Sequence, residues 1–124
     1  MQISKKGIPQ KTEAKIFQSL YQVLADLKKP EEVASFLEEV LSETERTVLA
    51  KRLAIAYWLN KNKSYDKIRQ ELKVSSATVA NVQKWLEKSG DGLKLALKTI
   101  DADEWAGEMA GKLATKVKSI FKVK

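Results

Sequence analysis

Residues 64–86 read SYDKIRQELKVSSATVANVQKWL. Two short amphipathic patterns meet in this stretch. Ser64, a helix-capping residue type, precedes a segment whose apolar positions are Ile68 and Leu72. Lys73 and Val74 interrupt the pattern, and Ser75 caps a second segment with Val79, Val82 and Leu86 on one face. Apolar residues at 68, 72, 74, 79 and 82 suit two steeply crossing helices that share one small core through a three- or four-residue turn. The spacing predicts a helix-turn-helix, with helices over about 64–72 and 75–88.

The outer side of the second helix carries Ser76, Ala77, Ala80, Asn81 and Lys84. Short side chains near the start let a helix end sit deep in the major groove of double-stranded DNA. Asn can pair bidentately with adenine, and Lys can reach guanine or a phosphate. The backbone N–H groups at the Ser75-capped start suit a phosphate. Lys67, Arg69 and Lys73, on the first helix and turn, are expected near phosphates. Two residues depart from the usual pattern: Lys73 stands where a left-handed backbone often takes Gly, and Arg69 where closely approaching helices often take Ala. The competing reading is a helical protein-interaction module without specific DNA binding.

Composition narrows the class. The chain has 124 residues, the size of one small domain. It is 44% hydrophobic and 31% charged, with five Gly and two Pro, too few breakers for a turn-rich β protein. There is no Cys and no His, which excludes disulfides, thiolate and imidazole metal sites, Ser-His-Asp catalysis and zinc-based DNA readers. Neither an enzyme nor a cofactor is expected. A net charge of +7 points to an anionic partner. The excess is uneven: residues 13–41 hold three lysines against six acids, whereas 42–63 and 64–86 are both basic. No run of about 18 apolar residues is present and residues 1–10 lack a secretory apolar core, so a cytoplasmic location is expected.

Around the helix-turn-helix the remaining pattern is also helical. Residues 1–11 read as a flexible arm, and 12–28 as a helix with Ile16, Phe17, Leu20, Val23, Leu24 and Leu27. Pro30 opens a second helix ahead of Glu31 and Glu32. Ser42-Glu43-Thr44-Glu45 is a capping box. From Val48 to Leu59 ten of twelve residues are apolar, which predicts a central strut buried nearly all round. Gly90-Asp91-Gly92 is expected to turn into a helix over about 92–99, and Asp101 to cap a last helix carrying Trp105, Met109, Leu113, Val117 and Phe121. Gly107 and Gly111 would let that last helix pack closely, and its lysines would add non-specific attraction to an anionic surface. The expected organisation is an arm at 1–11, a helix-turn-helix domain at 12–100 and a helical extension at 101–124.

Residues 41–86 resemble the core of the Trp repressor superfamily, and most of all its Trp-repressor-like homologues. The matching features are Leu41 with Glu45, Arg52-Leu53 on the long helix, Ser64-Tyr65-Asp66-Lys67-Ile68, and Ser75 followed by Ala77-Thr78-Val79. The resemblance implies an all-α fold and an intertwined homodimer that binds a palindromic operator as a transcriptional regulator, expected to be a repressor. It also implies where a corepressor would sit: Arg52 matches the Arg that holds a tryptophan carboxylate, and Thr78 a Thr of the recognition helix. The Arg that stacks on the indole corresponds to Asn81, and the small Gly beside it to Val82. Half of the pocket is therefore missing, and tryptophan is not expected to act as a strong corepressor. An ion pair or a phosphate contact is the preferred role for Arg52.

Overall fold

The computed structural model describes residues 3, 7–88, 90–102 and 104, and among them there are helices and no strand. The helices are α1 (Gln10–Asp26), α2 (Pro30–Val40), α3 (Glu43–Asn60), α4 (Tyr65–Leu72) and α5 (Ser76–Lys88), followed by α6 over 91–102. The expected last helix, with its Gly-x-x-x-Gly pattern and its lysines, lies outside the described residues. So do residues 1, 2 and 4–6 of the expected N-terminal arm.

Each boundary has a local cause. Pro30 occupies the first helical position of α2, where its missing N–H is no loss, and Glu31 and Glu32 complement the positive end of the helix dipole. At α3 both arms of the capping box form. The Ser42 amide donates to Glu45 Oε1 at 2.7 Å, and the Glu45 amide donates to Ser42 Oγ at 3.1 Å. The backbone N–H of Ser42, and then its side chain, hold the Glu45 carboxyl below the usual carboxylate range. The far end of α3 closes on Asn62, at φ 62°. The Lys63 amide reaches back to the Trp58 carbonyl and the Asn62 amide to that of Leu59, which is a Schellman closure.

The chain divides into two compact units, Met1–Thr47 and Val48–Lys124. In the first, α1 and α2 have no buried residue. Ile16, Phe17, Leu20, Tyr21, Val23 and Leu24 of α1 are all exposed. Phe17 and Tyr21 lie one turn apart, with ring centroids at 6.1 Å.

The second unit holds the core. Ile55 and Ala56 of α3, Ile68 of α4, Val79 and Val82 of α5 and Leu97 of α6 are buried together. Leu72, Val74, Leu86, Leu93 and Ile100 pack around them. The apolar positions that predict a helix-turn-helix are therefore in one cluster, and α4 packs on α5. Burying a Val or Ile side chain contributes roughly 1.5–3 kcal/mol, so this small cluster is what holds α5 in place.

Two expectations need correction. The apolar run of α3 is not buried all round: only Ile55 and Ala56 are, while Leu49 is 51% exposed and Val48 and Leu53 are also exposed. Residues 101 and 102 continue α6 instead of capping a new helix, and α6 already begins at 91. Ahead of it stands Gly90, at φ 52°, where a Cβ would meet the Leu86 carbonyl oxygen at 3.0 Å.

Candidate nucleic-acid interface

The interface is built on the two caps of the helix-turn-helix. Ser64 Oγ accepts from the Lys67 amide at 3.2 Å and starts α4. At its end Lys73 takes the left-handed conformation, φ 55° and ψ 55°, and its amide donates to the Arg69 carbonyl. The same carbonyl accepts from the Val74 amide at 3.2 Å, and Val74 tucks against the core. The reversal is tight, and the Lys73 side chain is left outside.

Ser75 then caps α5. Its Oγ accepts from the Thr78 amide at 3.1 Å and lies 2.9 Å from Thr78 Oγ1. One hydroxyl proton is used between the two side chains, so the other stays available to an outside acceptor. Beyond the cap, Val79 and Val82 point into the core, and Ser76, Ala77, Asn81 and Lys84 are exposed. Ala80, on the edge of this face, is half-buried. The outward surface of α5 thus runs from small groups at its start to an amide and an ammonium one and two turns on.

The flanking cations are also exposed: Lys67, Arg69 and Lys73. Arg69 Nη2 pairs with Asp66 Oδ1 at 3.0 Å within α4, so part of its charge is already answered. The Arg69 side chain is 44% exposed, which shows how α4 accommodates a long residue where Ala is usual.

Neither group expected at a ligand pocket presents itself to one. Thr78 is engaged with Ser75. Arg52 has its guanidinium over the Trp85 ring, with Cζ 5.5 Å from the centroid. Val82 is only 1% exposed and belongs to the core. Val82 thus sits in the core at the position where the family resemblance has a Gly, and Arg52 faces an aromatic ring of the chain itself.

The sequence pattern of the Trp repressor protein family matches residues 15–101, α1 through α6. The chain belongs to the Trp repressor family. This Trp-repressor-family chain is 30% identical over 94 residues to the uncharacterized protein YerC of Bacillus subtilis (strain 168), across 76% of this chain and 90% of that protein. Its fold matches a crystal structure of a candidate Trp repressor from Staphylococcus aureus with a TM-score of 0.67, at 23% identity, over 76% of this chain and 96% of that one. The all-α, Trp-repressor-like architecture expected from residues 41–86 is the fold of this family member.

Sequence reasoning missed the aromatic contacts. Besides Trp85 on Arg52, Lys63 Nζ sits 4.0 Å from the Trp58 ring centroid, and Lys61 Nζ 5.5 Å from that of Tyr57. Lys61 also lies 2.9 Å from Asp101 Oδ1, as a charge contact without hydrogen-bond alignment. The Tyr57 hydroxyl donates to Glu104. The signal available was aromatic side chains on half-buried helix flanks with cations at hand, which composition alone does not pair.

Proposed function

We propose that this Trp repressor family member is a sequence-specific DNA-binding transcriptional regulator that acts as a repressor. In this reading α5 enters the major groove of double-stranded DNA. Ser76, Ala77 and Ala80 allow close approach, and Asn81 and Lys84 read base edges. Lys67, Arg69, Lys73 and the Ser75 cap hold phosphates. The observation that carries the reading is the division of α5 into a buried Val79–Val82 side and an exposed Ser76-Ala77-Asn81-Lys84 side. Family membership supports it, and so does the net charge of +7.

The regulator works as a homodimer. Support comes from Ile16, Phe17 and Tyr21 of the first unit, and separately from Leu49 and Leu53 of α3, all large apolar side chains exposed in a single chain. The DNA-reading domain is 12–100, with 1–11 as an arm and 101–124 as an extension, and it acts in the cytoplasm. No helix among the described residues is long and apolar enough to cross a membrane. Tryptophan is not a strong corepressor in this reading, because Val82 is in the core and the Arg52 guanidinium already faces the Trp85 ring. The role is regulatory, with no catalytic group assigned.

The test is selection of bound duplexes from a random pool, followed by salt-dependent titration of the selected and a scrambled duplex. The selected site should bind at least about 10³-fold tighter than the scrambled one. Failure to retard either duplex at low salt would move the helical interaction module ahead.

A further inference from the structure

The core holds α5 along one side, through Val79, Val82 and Leu86. Contacts along one side set the distance of a helix from its support more firmly than its rotation about its own axis. Trp85 follows Val82 by three residues and Asn81 by four. At 3.6 residues per turn this puts Trp85 on the flank of α5, one turn beyond Asn81. Its indole meets the Arg52 guanidinium, with Cζ 5.5 Å from the ring centroid. Arg52 stands three residues before the fully buried Ile55, so its backbone is anchored in the same unit. Among the described residues no carboxylate pairs with Arg52, and Trp85 is 43% exposed.

We propose that Arg52 and Trp85 form a clamp between α3 and α5 that sets the rotation of the recognition helix, which makes both of them positioning residues for base readout. The guanidinium that the family resemblance assigns to a ligand carboxylate here lies over an indole of the chain itself. The proposal rests on the reading that α5 reads DNA. Base-edge hydrogen bonds need donor and acceptor within about 3 Å and well aligned, so a small rotation of α5 loses them. Phosphate attraction falls off slowly with distance and survives the same rotation. Loosening the clamp therefore lowers specific binding and leaves non-specific binding alone.

A double-mutant cycle on DNA affinity tests it. Arg52→Lys keeps the charge but not the planar stacking group, and Trp85→Leu removes the ring. Each should weaken the selected duplex about two- to fivefold, the range of an exposed cation–π contact. Each should leave the scrambled duplex and the salt slope unchanged, and the double variant should be no worse than either single one. Trp85→Phe, which keeps an aromatic face, should restore most of the specific binding, and Trp85→Met replaces Trp85→Leu in the cycle if that variant melts below the assay temperature. If Arg52→Lys binds like wild type while Arg52→Gln weakens both duplexes and lowers the salt slope by about one per subunit, Arg52 is a phosphate contact and the clamp is wrong. Additive effects in the cycle also overturn it. A wild-type chain without preference for any selected duplex overturns the DNA-reading function and the clamp with it, whereas preference with an additive cycle overturns the clamp alone.

Discussion

Lys73 holds a left-handed backbone with a side chain attached, at φ 55° and ψ 55°. For a residue with a Cβ that conformation costs roughly 1–2 kcal/mol, and Gly adopts it freely at an entropic cost of about 0.5–1 kcal/mol. Lys73→Gly should therefore raise stability by up to about 1 kcal/mol in a urea titration. Lys73→Ala, which keeps the Cβ, should not. A Lys73→Gly variant no more stable than wild type would mean that the turn is not strained. The positive φ was legible in the sequence, because the turn of a helix-turn-helix has a fixed place for it. The role of Arg52 was not. A guanidinium accepts a carboxylate, a phosphate or an aromatic face as partner, and its neighbours in sequence do not choose among them. Only the packing of α5 on the core brings Trp85 to it.

Helix starts were legible where a capping side chain marks them. Ser42, Ser64 and Ser75 each accept an amide from the residue three positions on. The continuation of α6 through 101 and 102 was not, because Asp101 reads as the cap of a new helix and its neighbours in sequence do not pair it with Lys61, or Glu104 with Tyr57. They are partners: Lys61 lies beside Asp101, and Tyr57 donates to Glu104. The bond to Glu104, with desolvation adding, pushes the Tyr57 hydroxyl above its ordinary value of 10.0. The carboxylate of Asp101 keeps Lys61 protonated above 10.5. A raised value in the folded state means stabilisation that is complete below the unfolded value and is lost as pH rises through the folded one. Wild type should thus melt higher than Tyr57→Phe at neutral pH, and the gap should close once the pH passes about 10. Thermal melts of both chains between pH 7 and pH 11 would show this. A gap that widens with pH would contradict it. Glu45 has the opposite sign: its contribution is present above 4.5 and fades as pH falls through the lowered value.

For the whole molecule, the apolar surface sets the first expectation. The core of the second unit takes up the second half of the run from Val48 to Leu59 and leaves Val48, Leu49 and Leu53 exposed, and α1 has no buried residue. A second copy of the chain would cover such faces. Light scattering at micromolar concentration should give about 28 kDa, twice the 14.0 kDa of one chain. A mass of one chain would count against the homodimer. That Val48, Leu49 and Leu53 of α3 would be exposed was not legible, since a helix apolar on every side reads alike whether its partners are in the same chain or another. The division of α5 was legible, because Val79 and Val82 alternate with Asn81 and Lys84 at helical spacing. The central claim, that this outward face reads DNA sequence, comes down to Asn81. Affinities of wild type, Asn81→Ala and Lys67→Ala for the selected and scrambled duplexes, at several salt concentrations, test it most directly. Asn81→Ala should lose about 1–3 kcal/mol on the selected duplex and almost nothing on the scrambled one. Lys67→Ala should weaken both alike and lower the salt slope by about one per subunit. Equal weakening of both duplexes by Asn81→Ala would contradict base reading by this face of α5.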